Sequence, residues 1–165
     1  MYYVNYEQIQ QRLDFIPLVI QGCERLNLEG NAALLDATHI DGSHIEVTPP
    51  DIIHLFAQER ILHLAIETVT DLGSLLIDAF VLRDASSYED IIEILRLEQM
   101  CDQPTADSLH ALVKLRKLLT QDYMNWDRTQ FHPAMRELPR LLLHFQEDVL
   151  RFMKEEVDRF SNPLT

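Results

Sequence analysis

Glycine is scarce in this 165-residue chain, with 4 residues, and so is cysteine, with 2. So few glycines exclude a collagen-like or glycine-rich chain, and 7 prolines with 25% charged residues do not make a disordered composition. Cys23 and Cys101 form no CxxC pair, which excludes a disulfide scaffold and a thiolate zinc site and fits a reducing cytosol. Basic residues are few: 14 Lys and Arg against 27 Asp and Glu give a formal net charge of -13. A field of that sign repels polyphosphate, so broad nucleic-acid binding is disfavoured without a local basic patch. The closest approach to a patch is Lys114, Arg116 and Lys117. Long apolar runs are missing too. The stretch from Leu75 to Leu82 is broken by Asp78 and stops at Arg83, well short of the roughly 20 residues of a membrane span. The opening MYYVNYEQIQ has no basic segment followed by an apolar one, so no secretory leader is expected. A soluble, cytoplasmic protein is the expectation.

What is present is apolar residues at helical spacing. They make up 47% of the chain, enough for one domain over residues 1–165 to bury a core unaided. Asn5 and Gln8 resemble a capping box, and Ile9, Leu13, Ile16 and Ile20 predict a first helix to about Leu26, with Pro17 a possible kink. Residues 27–50 hold Gly30, Asp41, Gly42, Pro49 and Pro50 and read as a long connection, with room for a short helix over Ala32–Ala37. Thr48 before two prolines marks a second helix running to Leu82. Ser87 with Asp90 opens a short third helix, and Asp102 opens a fourth that continues to about Tyr123. Leu138, Leu142, Phe145, Val149 and Phe152 form the seam of a last helix, with Pro139 as its kink or first turn. No segment alternates with period two, so the fold class is all-α, an antiparallel bundle of four or five helices.

The second helix carries a polar stripe. At about 100 degrees per residue, Arg60, His63, Glu67, Thr70, Asp71, Ser74 and Asp78 share an arc of roughly 100 degrees, and apolar residues fill most of the rest. So apolar a helix is expected to be central. Its stripe is either a solvent-facing strip or a groove in which Arg60 offsets Glu67 or Asp71 and positions a ligand. His63 with Glu67, and His144 with Glu147, have spacings at which two ligands reach one ion. The paired Glu-x-x-His motifs of bundle di-metal sites are missing, as are GxxxxGK and GxGxxG loops, so neither metal nor cofactor is expected.

The segment Leu115–Tyr123, LRKLLTQDY, resembles the signature of the HepT-like toxins of the HEPN superfamily, an Arg followed after four residues by His, any residue, and Tyr. Arg116 and Tyr123 match, and Gln121 stands at the motif His position. ERILHLAIE at Glu59–Glu67 and IDAFVLRDASSYEDIIEIL at Ile77–Leu95 also look like this family. The resemblance, over about residues 1–155, implies a HEPN-type helical bundle that forms a homodimer with both motifs in one cleft. It implies metal-independent cleavage of RNA, with Arg116 holding phosphate through its fork and the motif position moving a proton. It further implies a minimal nucleotidyltransferase antitoxin as partner, with Tyr123 the acceptor of AMP.

Gln121 alters that expectation. An amide donates and accepts hydrogen bonds but has no pKa near 7, so most of an acid–base contribution of about 10²–10⁴-fold should be lost. None of the seven histidines lies within ten residues of Gln121, and His63 on the stripe is the best placed to be brought in by folding or by a second protomer. The rival expectation is a non-enzymatic module that binds a nucleotide or a protein. A bland reading of the motif also stands: Arg116 pairs with Glu67 or Asp71, Gln121 is a surface residue near a helix end, and Tyr123 is a core aromatic.

Overall fold

Helices carry most of the described residues in the computed structural model, which describes residues 5–36 and 51–161, with side chains over 5–30 and 51–156. They are α1 Tyr6–Asp36, α2 Ile52–Ala79, α3 Tyr88–Leu97, α4 Gln103–Thr120 and α5 Ala134–Ser161, with a 3-10 turn at Tyr123–Asn125. No strand occurs among the described residues, and none of their helices is long and apolar enough to cross a membrane.

The expected caps are made. Asn5 Oδ1 accepts from the Gln8 amide at 3.2 Å, Ser87 Oγ from the Asp90 amide at 3.1 Å, and Asp102 Oδ1 from the Thr105 amide at 2.8 Å. Each satisfies an N–H that the first turn leaves without a helical partner. The start expected at Thr48 lies outside the described residues, where α2 is seen from Ile52 onward.

Three boundaries differ from expectation. The first helix does not stop near Leu26 but runs to Asp36, so 27–36 is helix and not connection. Gly30 survives inside it because the Phe131 ring packs where a Cβ would stand, so tertiary packing compensates the weak local propensity. The second helix ends at Ala79, not Leu82: the Leu82 amide turns back to the Ile77 carbonyl at 3.0 Å, with Val81 left-handed at φ 53°. The fourth ends at Thr120 because the amides of Gln121 and Asp122 both close on the Lys117 carbonyl, at 2.9 and 3.1 Å.

Cross-helix ties set the directions. Arg12 to Asp71 and Glu29 to His54 make α1 antiparallel to α2. Two prolines make α1 antiparallel to α5. A proline inside a helix frees the carbonyl four residues before it. Pro17 frees the Leu13 carbonyl, which accepts from Gln146 Nε2 at 2.9 Å. Pro139 frees the Met135 carbonyl, which accepts from Asn27 Nδ2 at 2.8 Å and Cys23 Sγ at 3.2 Å. Each proline thus turns a helical defect into a bond between helices, and Pro139 sits one turn inside α5 rather than at its start.

The core lies between these helices. Leu13, Ile16, Leu62, Ile66, Leu72, Ile92, Leu142 and Phe145 are buried in one cluster. As its apolar circumference requires, α2 is central and touches α1, α3, α4 and α5. At Gly73 a Cβ would collide with Ile91 of α3, so the missing side chain lets α3 dock against α2. Burial pushes the thiols of Cys23 and Cys101 up, to about 11 and about 12, and leaves both neutral.

Candidate functional site

The polar stripe of α2 faces the last turns of α4. Arg116 Nε donates to Glu67 Oε1 at 2.8 Å, and its guanidinium carbon lies 4.0 Å from the centre of the Tyr88 ring. Arg116 is therefore held from two sides, by a carboxylate and by an aromatic face. Its two terminal nitrogens have no protein partner among the described residues, which leaves the two-pronged end of the fork for an anion.

Tyr88 owes its place to a knot in the chain before it. Arg83 Nη1 and Nη2 donate to the Asp90 carboxylate at 2.8 and 2.6 Å, and the Ser86 amide donates to it at 2.8 Å. The Arg83 fork, then the Ser86 amide, hold that carboxyl well below the usual carboxylate range. The knot fixes the 83–90 turn and hence the first turn of α3. Tyr88 also lines a cleft of about 460 Å³ with Ser74, Asp78, Asp84 and Ser87.

Glu67 serves a second neighbour. His63 Nε2 stands 3.4 Å from the same Glu67 Oε1, and His63 Nδ1 stands 3.1 Å from Arg60 Nη1. The chain of contacts is Arg60, His63, Glu67, Arg116, with Arg60 exposed and the other three half-buried. Of the two readings of the stripe, the contacts it makes are with a basic residue of the facing helix at Glu67, but the other pairings differ from those expected. Arg60 meets His63 rather than Glu67 or Asp71, and Asp71 is paired instead with Arg12 of α1 at 3.8 Å. Thr70 leaves the stripe altogether: it is buried and its hydroxyl donates to the Ile66 carbonyl at 2.9 Å.

Gln121 caps α4 and is exposed. Tyr123 lies just past it in the 3-10 turn and is 52% exposed, so it is not a core aromatic. A second tie holds this end against α2: Arg128 Nε and Nη2 donate to the Glu59 carboxylate at 2.7 and 2.9 Å, and Nη2 also donates to the Tyr123 carbonyl at 2.9 Å. Buried Gln58 adds a third, accepting from the His132 amide at 2.8 Å. The structure thus brings Arg116, Glu67, His63 and Arg60 together, sets Gln121 and Tyr123 one to two turns further on, and places Asp71 in a separate pair.

Tyr88, Arg128 and Glu59 were not singled out from the sequence. The only local signal was the Ser87 cap, which fixes where α3 begins; nothing in the spacing links Tyr88 to Arg116. Chemically, the site offers a permanent cation beside a titratable ring, joined through one carboxylate, the elements of anion binding and proton transfer. Among the described residues no three or more His, Cys, Asp or Glu converge as metal ligands do.

Comparison with known proteins adds three findings. The family model described as Ribonuclease HepT-like matches residues 39–147. A curated relative, "Putative RNase YutE" of Bacillus subtilis (strain 168), is 32% identical over 105 residues, covering 64% of this chain and 73% of the relative. A solved structure, described as a cytosolic protein of unknown function, YutE from Bacillus subtilis, superposes with a TM-score of 0.74 at 26% identity, covering 94% of this chain and 95% of that one.

Proposed function

The chain belongs to the HepT-like ribonuclease family, with a HEPN-type helical bundle, and on that basis we propose that it is a metal-independent endoribonuclease acting as the toxin of a toxin–antitoxin pair in the cytoplasm. The observation that carries this reading is Arg116, oriented by Glu67 and Tyr88 with its fork open. An RNA phosphate docks on that fork, and the neighbouring ribose supplies its own nucleophile, the 2'-hydroxyl, which distinguishes RNA from DNA. An internal nucleophile needs no metal-bound water. With its net charge of -13 the protein attracts RNA only locally, about Arg116, which shares α4 with Lys114 and Lys117 and is linked to Arg60 through Glu67 and His63.

The test is incubation of purified protein with total and transfer RNA in EDTA. Wild type is expected to cleave RNA and to spare DNA of the same sequence. Absence of cleavage by both wild type and Gln121→His would overturn the reading. It would promote the alternative that Gln121 favours, a non-enzymatic nucleotide- or protein-binding module.

The active form in this reading is a homodimer. Apolar Ile53, Phe56 and Met124 are exposed, Met124 by 78%, and the Arg128 guanidinium lies 5.6 Å from the Phe56 ring centre while it binds the Tyr123 carbonyl. Apolar surface beside the site suits a second copy that would bring two Arg116 residues to one cleft. Light scattering should give a dimer mass across dilution, and a monomer at every concentration would exclude the shared cleft. The exposure of Tyr123 suits modification by a minimal nucleotidyltransferase antitoxin, detectable by mass spectrometry as added AMP that is absent in Tyr123→Phe.

A further inference from the structure

The motif position holds Gln121, which cannot carry a proton, yet RNA cleavage needs a group that can. We propose that His63 of α2 supplies that proton transfer, as a catalytic residue, with Glu67 as its positioning residue. The inference rests on the ribonuclease reading above.

Two observations place His63 there. The first is register. Glu67 is tied to Arg116 and Glu59 to Arg128, so α4 and its 3-10 turn run antiparallel to α2 between two fixed points. His63 is four residues from Glu67 toward the second tie, about 6 Å along α2. Gln121 is five residues from Arg116 toward the same tie, about 7.5 Å at helical rise. Along the axes, the two positions therefore stand at nearly the same level on facing elements.

The second is the environment of the ring. Arg is always a donor, so His63 Nδ1, 3.1 Å from Arg60 Nη1, is the acceptor nitrogen, and Nε2 carries the proton toward Glu67 Oε1 at 3.4 Å. A neutral imidazole held from behind by a carboxylate is the arrangement of an oriented general base. The other described histidines are occupied elsewhere. His54 faces Glu29, His110 faces Glu93, and His132 stacks on Trp126 and accepts from the Ala134 amide, while His144 lines a groove between α4 and α5. The charged groups about His63 are Arg60 and Glu67 on α2 and Arg116 on α4, with the Arg12–Asp71 pair one turn beyond Glu67 toward α1.

Exposed Arg60 has no carboxylate partner among the described residues, so an RNA phosphate draws it away and frees Nδ1. The 2'-hydroxyl then gives its proton to Nδ1, the 2'-oxygen bonds to phosphorus, and the bond from phosphorus to the 5'-oxygen breaks. The 5'-oxygen takes a proton from water, and the imidazolium returns its proton to the hydroxide so formed.

The experiment measures RNA cleavage against pH for wild type, His63→Gln, Gln121→His and the double variant, with RNA affinity and circular dichroism read separately. Wild type should lose rate as pH falls, because a protonated imidazole has no lone pair left to accept the 2'-hydroxyl proton. His63→Gln should lower the rate about 10²–10⁴-fold at unchanged affinity and abolish that pH limb, and adding Gln121→His should restore both. A His63→Gln protein with the wild-type rate and pH profile overturns the proposal. If wild type is inert while Gln121→His cleaves, the ribonuclease site is right and the role of His63 is wrong. If neither cleaves, the ribonuclease reading itself falls, and His63 with it.

Discussion

Arg116→Ala should reduce RNA cleavage by at least about 10²–10³-fold, the usual cost of removing a preorganised group that stabilises charge in a transition state. The geometry explains why so much depends on one side chain. Phosphate charge builds as the 2'-oxygen attacks, and the open fork of Arg116 is already aimed, because Glu67 fixes its Nε and Tyr88 covers its face. Arg116→Lys should recover little. An ammonium is a point charge on a flexible stem and cannot bind Glu67 and bridge two phosphate oxygens in one planar geometry. The fold should survive, since the Arg116–Glu67 pair is partly solvated, with side chains 25% and 34% exposed, and such pairs contribute about 0–1 kcal/mol. Initial rates on labelled RNA, with thermal melting as a control, decide the matter. Cleavage by Arg116→Ala at the wild-type rate would remove Arg116 from the site.

Phe145→Ala should cost about 3–5 kcal/mol, from lost burial plus the cavity left behind. Phe145 is fully buried, at 0% exposure, in the seam where α5 meets the core. Against a total stability of about 5–15 kcal/mol, that loss brings the bundle close to unfolding. Leu143, two residues earlier on the same helix, is 46% exposed, and Leu143→Ala should stay within about 0.5 kcal/mol. Urea denaturation of the two variants tests the rotational phase of α5. Equal costs would mean that Leu143 is covered as deeply as Phe145, as by a partner subunit, or that the phase is wrong.

Much of the architecture was legible because its causes are local. Ser87 and Asp102 cap the helices they were expected to cap, since a side-chain oxygen three residues ahead of a free amide needs no other part of the fold. Of the seam, Leu138, Leu142, Phe145 and Val149 are buried as the spacing required, and Phe152 at its end is half-buried. Local signals misled where tertiary contacts outweigh propensity. Gly30 reads as a breaker, yet Phe131 packs against it and α1 continues; Pro17 and Pro139 lie inside α1 and α5, and their freed carbonyls are bonded across to the facing helix, which no local pattern shows. The stop of α4 at Thr120 moved Tyr123 off the helix and into an exposed turn.

By itself the sequence determined an all-helical chain, a central second helix with a polar stripe, and an Arg–Gln–Tyr segment resembling a ribonuclease signature. Periodicity, capping and short spacings are properties of neighbouring residues, so they are readable in one dimension. The tertiary structure decided which stripe residue meets Arg116. That Glu67 pairs with it and Asp71 does not, and that Tyr88 lies under the guanidinium, both depend on the register of helices whose paired residues, as with Glu67 and Arg116, are 49 positions apart. One turn of slip along α2 would exchange these partners while leaving every local pattern unchanged, and for that reason the site is set by packing rather than by spacing.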